Sequence, residues 1–554
     1  MSGSITLENR FGVNKMELIS LKYAIFVIVL LVLYYCFPKK YRWYVLLAGS
    51  MAYYVIICKW YVLFIIFTIC TTYGSTIWID KLLKKQNAIV KSHKEDWDRQ
   101  TRKDYKEKGR KKRVAVMLFA LLCNFGILAF LKYIPYAGEL GLLLPLGISF
   151  YTFQSMGYVM DVYREIVEPE KNFLKVALFV SFFPQIIQGP IAIYDKLAGQ
   201  LYEGHSLRLE NLQKGALLVL WGVMKKLVIA DRAVNIINFV MDKPMDFSGT
   251  YVFFAAVVYA LQLYADFSGG IDIVRGIAEM FGITMSTNFN HPYFSRSLTE
   301  YWHRWHMTLG DWCRNYIFYP LSISKRFLNF GKWLKPRFGA HISKVLPGCI
   351  ASVITFIVIG VWHGANMKYL YFGLWNGIVI MLAELFAPVS KKVAGGFFKL
   401  TGLREKGIFA TIVSVIWTFM LILVGYYFDI AANASTAFHM LFKSVTDFHI
   451  SELGINNIIL NLGACGLDEY DILLLIICTL LWFFISFVEE NKKLDMRDFI
   501  LSRKLPLRWA IIYLGIFIVI IFGYYGPGVN PADFVYMPVS YTHLRAHETL
   551  MNIV

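Results

Sequence analysis

IFATIVSVIWTFMLILVGYY, residues 408–427, decides the fold class. No charged side chain interrupts it, and its length is about the 20 residues a helix needs to cross a bilayer. Similar apolar runs fill the chain: Tyr23–Phe37, Tyr44–Ile57, Val114–Phe130, Cys349–Val361, Ile472–Val488 and Ala510–Phe522. None alternates as a barrel strand does. In lipid every backbone group must be satisfied internally, so these runs predict helices. The expectation is an all-α polytopic membrane protein of about 11–13 segments, on the span-length rule.

Composition agrees. Of 554 residues, 57% are hydrophobic and 17% charged, against about 25% charged in an ordinary soluble domain. The first apolar run ends in Tyr34-Tyr35-Cys36-Phe37-Pro38, without a small-residue cleavage pattern, and reads as a transmembrane helix. The eight cysteines are scattered and show neither a CxxC nor a zinc spacing.

The net charge of +18 is unevenly placed. Residues 81–113 hold fourteen Lys/Arg against five Asp/Glu, a net +9. Topology explains this better than nucleic-acid binding, because basic loops stay cytoplasmic. Further basic stretches lie at 325–344, 391–406 and 492–508, separated from one another by pairs of apolar segments. All can face the cytoplasm. The stretch 429–471 is acidic, with Lys443 its only Lys or Arg, and is expected outside. The region 134–300 is broken by Pro145, Pro184, Pro190 and several glycines, and predicts re-entrant pieces. One integral-membrane domain is expected over 1–538. The polar stretch 539–554 reads as a disordered or non-native tail.

Four constellations carry candidate chemistry. Ionisable groups inside a membrane are costly and mark functional sites. Trp362-His363-Gly364-Ala365-Asn366 places a histidine at a helix end, towards the outer half of the membrane in the charge-derived topology. Gly364 permits close approach, and Asn366 can orient the imidazole or donate to an oxyanion. Tyr301-Trp302-His303-Arg304-Trp305-His306 lies 57 residues before His363. There Trp302, Trp305, Leu309 and Trp312 share one face if the helix is continuous, and Glu300 pairs with Arg304 at i, i+4. Gln262–Asp272 sets Asp266, Ser268 and Asp272 in an apolar run, and Arg275 or Arg304 can partner the carboxylates. Leu144–Gln154 and Phe182–Pro190 carry Gln154 and Gln188 where polar groups must face protein. Glu300-x-x-His303 is similar to a di-iron half-site, but a membrane di-iron oxidase needs several histidine-rich clusters. No metal is expected. No phosphate-binding loop or serine-hydrolase elbow is present, and no internal repeat of the kind common in secondary transporters.

At these residues the chain resembles the membrane-bound O-acyltransferase family, in its alginate O-acetyltransferase-like branch. The likeness is most specific at Leu144–Arg164, Phe182–Pro190, Tyr264–Pro292, Tyr301–Pro320 and Trp362–Gly377. It implies a ring of helices and re-entrant segments around a central tunnel. The family's key histidine falls on His363 and its second histidine on His306, while His303 stands where members often have Arg. The resemblance makes Trp302, Trp305, Asp311, Asn315, Trp362 and Asn366 tunnel-lining, with Asp266, Ser268, Gln154 and Gln188. It implies transfer of an acetyl group from acetyl-CoA, or from an acyl carrier protein thioester, with no bound cofactor. The acceptor side would be a cell-surface polysaccharide, reached through an extracytoplasmic acetyltransferase, at a bacterial plasma membrane. D-alanyl transfer to teichoic acid is the related alternative. A non-enzymatic channel or flippase for a lipid-linked glycan is the alternative of another class. No nucleic-acid partner is expected.

Overall fold

The computed structural model describes residues 18–134, 142, 144–401, 404, 407–454, 457, 465–525 and 534. Among them every regular element is helical. Seven helical stretches among the described residues are long and apolar enough to cross a membrane, or eight if the bent pair Met367–Leu385 and Ala387–Thr401 counts as one. This is fewer than the segment count expected from the sequence. The difference lies in short apolar helices such as Leu21–Cys36 and the Phe173–Ser181 and Phe183–Gln188 pair. The tail at 539–554 and the last residues of the 391–406 stretch, apart from Arg404, lie outside the described residues.

The chain divides into two compact units. The first holds the described residues up to Trp221, with Gly270–Ser286. Its basic 81–113 stretch is not a loop. Val62–Ser92 and Arg99–Tyr133 run far past their apolar portions and meet in a short turn. Asp98 caps the second helix by accepting from Gln100 N and Thr101 N. Across the hairpin Arg113 donates to Gln86 Oε1 at 2.8 Å. In the same unit Ile148–Tyr163 is buried on all sides over 150–162. It starts at Gly147, whose φ of +69° and contact with the Ile186 carbonyl leave no place for a side chain.

The second unit holds Gly222–Gly269 and the described residues from Thr287 to Tyr525. Its basic 325–344 stretch is also helical. It opens Lys325–His363, which is broken at Gly339 (φ +80°). That helix packs closely on Met367–Leu385 through small residues. A Cβ at Gly360 would lie 2.2 Å from Tyr369 O, and one at Gly373 2.4 Å from Phe356 O. Helices in lipid gain little hydrophobic drive from associating, so close backbone approach through small residues holds them. Asn366 caps the second helix by accepting from Lys368 N at 3.1 Å. Ile408–Ile430 joins this pair, with Trp375 Nε1 donating to Leu421 O at 2.9 Å. Glu469–Lys492 begins with a capping box made by Asp468 and Asp471.

Candidate active site

Tyr301–Cys313 does not form one continuous helix. Leu298–Arg304 ends at Trp305, whose backbone is extended, and Met307–Cys313 begins after His306 in the left-handed region at φ +45°. The expected stripe of Trp302, Trp305, Leu309 and Trp312 is therefore split. Periodicity extrapolated through a residue that rarely adopts positive φ, and the break fell there. The Glu300–Arg304 pair does form, at 2.7 Å. Ser297 caps the first helix by accepting from Glu300 N, and Glu300 accepts from Arg296 N.

The break is stitched from outside. Asn290 N donates to Arg304 O at 3.0 Å, and Met307 N donates to Asn288 O at 2.9 Å. The Asn288 side-chain oxygen lies 3.2 Å from Thr308 N, 2.8 Å from Thr308 Oγ1 and 3.2 Å from His306 Nδ1. Arg304 reaches Glu490 at 3.0 Å, tying the segment to Glu469–Lys492.

His306 is 2% exposed. Its ring centroid lies 4.9 Å from Phe267, nearly perpendicular, and 6.5 Å from Trp362. Trp362 is 4.8 Å from His363, which also meets Phe372 at 5.6 Å and Tyr369 at 6.0 Å. His363 is the last residue of its helix and is half-buried. The structure thus brings the two sequence-predicted histidines into one aromatic surround, at the meeting point of three helical segments. Burial, and secondarily the charge of His363, push the His306 pKa down to about 3. The ring is neutral at ordinary pH.

Trp302 packs against Phe356 and Phe372, and donates from Nε1 to Asn376 Oδ1 at 3.0 Å, so it supports the His363 side. Trp305 is buried among Tyr264, Phe289 and Tyr301. Tyr301 and Tyr293 each share a hydrogen bond with the Tyr426 hydroxyl. His303 is exposed.

Other expected site residues have defined partners elsewhere. Asp311 pairs with Arg314 at 2.6 Å, and both are partly exposed. Asn315 lies in the π-helical turn Arg314–Phe318 that follows. Asn366 uses its oxygen as the helix cap, and its amide reaches Ala432 O at 3.4 Å. Neither contact orients an imidazole. Arg275 meets Asp272 at 3.5 Å. Asp266 meets Lys226 at 2.6 Å, and Lys226 also meets Asp231 at 2.8 Å, all three buried. Ser268 accepts from Lys225 at 2.8 Å. Both lysines open the π-helical turn Lys225–Ala230, a geometry frequent at functional sites. Asp266 and Ser268 flank Phe267, so the lysines fix the stretch that puts Phe267 on His306. Lys225-Lys226 ends an apolar run and was a readable signal for buried partners.

Gln154 and Gln188 belong to the first unit. Gln154 Nε2 donates to Phe179 O at 2.6 Å. Gln188 is fully buried, and a Cβ at Gly270 would strike its Oε1.

Residues 169–335 match the model of the membrane-bound O-acyltransferase family. This stretch is similar to that family. The match includes His306 and ends before His363. A probable alginate O-acetylase of Pseudomonas syringae pv. tomato is 30% identical over 56% of this chain and 54% of its own length. A peptidoglycan O-acetyltransferase of Helicobacter pylori is 30% identical over 50% of this chain and 56% of its own. A teichoic acid D-alanyltransferase of Bacillus subtilis is 26% identical over 51% of this chain and 67% of its own. The chain spans little more than half the length of the first two. With its apolar helices it is a multi-pass membrane protein, similar over part of its length to these acyltransferases.

Proposed function

We propose that this protein passes acetyl groups from a cytoplasmic thioester donor across the membrane, for O-acetylation of a cell-surface polysaccharide. The observation that carries this reading is the pairing of His306 and His363 in one aromatic surround. A neutral imidazole has a lone pair that can take a proton from a hydroxyl or attack a carbonyl. In the base route it takes the proton of an acceptor hydroxyl as the oxygen attacks the thioester carbonyl. The C–S bond then breaks and the sulfur leaves as a thiol, taking that proton. In the nucleophile route the imidazole itself accepts the acyl group, the thiol leaves, and the acceptor hydroxyl completes transfer. Both routes place the acyl carbon beside the two rings. Aromatic walls lower the local dielectric and strengthen any dipole aimed at the oxyanion.

The donor is acetyl-CoA. A thioester is activated enough for transfer without ATP, and the sequence holds no nucleotide-binding loop. The basic helical hairpin at 81–113 would attract an anionic donor electrostatically. The acceptor side is an extracytoplasmic acetyltransferase or the glycan itself. The names of the 30% relatives favour acetyl over D-alanyl transfer, which rests on the 26% match. Inside-out vesicles holding the protein and its extracytoplasmic partner should consume radiolabelled acetyl-CoA. Vesicles that accept only an acyl group presented on a carrier protein would establish D-alanyl transfer instead. Glycan export that persists after His363→Ala would point to a channel.

A further inference from the structure

We infer that Asn288 is a positioning residue for His306, holding its imidazole as the Nδ1–H tautomer so that Nε2 carries the lone pair. The inference rests on the functional reading of His306 given above. It starts from which atom of the Asn288 carboxamide faces the histidine, since oxygen and nitrogen are distinguished only by their partners. Thr308 N lies 3.2 Å from that atom. A main-chain N–H can only donate, so the facing atom is the carbonyl oxygen. Thr308 Oγ1, at 2.8 Å, can donate to it as well. An amide oxygen has no proton to give. His306 Nδ1, 3.2 Å away, must then carry the hydrogen.

The arrangement is fixed by more than the side chain. Met307 N donates to Asn288 O, and Asn290 N donates to Arg304 O. These two main-chain bonds straddle His306 and hold it in its left-handed conformation. A non-glycine residue there costs of order 1–3 kcal/mol and persists where the surroundings over-determine it. Asn288 is itself 1% exposed, so water does not compete freely for its oxygen. The neighbouring ring leaves little freedom to flip, because Phe267 stands nearly perpendicular to it at 4.9 Å. In the wrong tautomer Nε2 would be a donor, unable to take a proton from a hydroxyl or to attack a carbonyl.

The test compares four variants in vesicles, with kcat and KM measured for radiolabelled acetyl-CoA and folded protein matched by size-exclusion profile. Asn288→Ala removes the acceptor and should lower kcat roughly 10- to 100-fold, the usual cost of losing an outer partner of a functional histidine, with KM unchanged. Asn288→Asp keeps an acceptor and should retain clearly more kcat than Asn288→Ala. Its added charge favours the imidazolium, so the acid limb of its pH profile should move to higher pH. Thr308→Val takes away one of the two Thr308 donors to the oxygen but leaves the contact with His306, and should lower kcat less than Asn288→Ala does. If Asn288→Ala yields no folded protein, the pH profile of Asn288→Asp decides alone. Wild-type kcat in Asn288→Ala overturns the inference. So does an unmoved acid limb in Asn288→Asp, or a Thr308→Val as impaired as Asn288→Ala, since both outcomes describe a residue that merely holds the fold. His306→Ala separates the two levels. A fully active His306→Ala removes the functional reading and this inference with it. An impaired His306→Ala beside an unimpaired Asn288→Ala removes this inference only.

Discussion

His306 combines a left-handed backbone, full burial and a second histidine close by. A buried imidazole whose pKa falls to about 3 resists charging, against an ordinary value near 6.5. The sign follows. The unfolded chain takes up a proton at His306 below about pH 6.5 while the folded protein does not, so stability is lost as pH falls from there towards 3. One such group contributes at most about 1.4 kcal/mol per pH unit. Replacing His306 with Asn, which tolerates the left-handed region, removes this proton uptake. The melting temperature of wild type should therefore fall more steeply than that of His306→Asn between pH 6.5 and 4, measured in detergent. Parallel curves would refute the buried, neutral state. At the same scale His303→Ala should keep most of its activity, because His303 is exposed where His306 is enclosed.

At the scale of elements, the placement of His363 depends on how closely Lys325–His363 and Met367–Leu385 approach. Gly360 and Gly373 each face a backbone carbonyl at a distance no Cβ can occupy. Gly373→Ala should push the helices apart, lower the melting temperature and reduce activity together. Gly348→Ala, in the same long helix with open space at its Cβ position, should do neither. It can gain up to about 1 kcal/mol from helix propensity. Equal melting temperatures for the two variants would show that the glycine contacts do not set the helix spacing. The sequence made the helices, the Glu300–Arg304 pair and both histidines legible, because apolar run length and i, i+4 spacing are local. It did not reveal the break at His306, which depends on hydrogen bonds from Asn288 and Asn290 across the chain. Nor did it pair Asp266 with Lys226, forty residues away in sequence. Arg275 and Arg304 were nearer, but their own carboxylates claim them.

For the whole molecule, the proposed direction of transfer rests on the charge pattern. The +9 of residues 81–113 lies on a helical hairpin, and by its charge the acidic 429–471 stretch is expected on the extracytoplasmic side. Single-cysteine labelling of intact cells should reach positions in 429–454 and leave 90–105 unlabelled until permeabilisation. Labelling of 90–105 from outside would reverse the orientation and the proposed acyl flow. The His306–His363 pair is proposed to carry acyl transfer. Its most direct test is acetyl transfer from radiolabelled acetyl-CoA in inside-out vesicles, with wild type and His363→Ala at matched levels of folded protein and the extracytoplasmic partner present. A fall of about 100-fold or more, the scale of lost acid–base catalysis, is predicted for His363→Ala. A wild-type rate in that variant would contradict it.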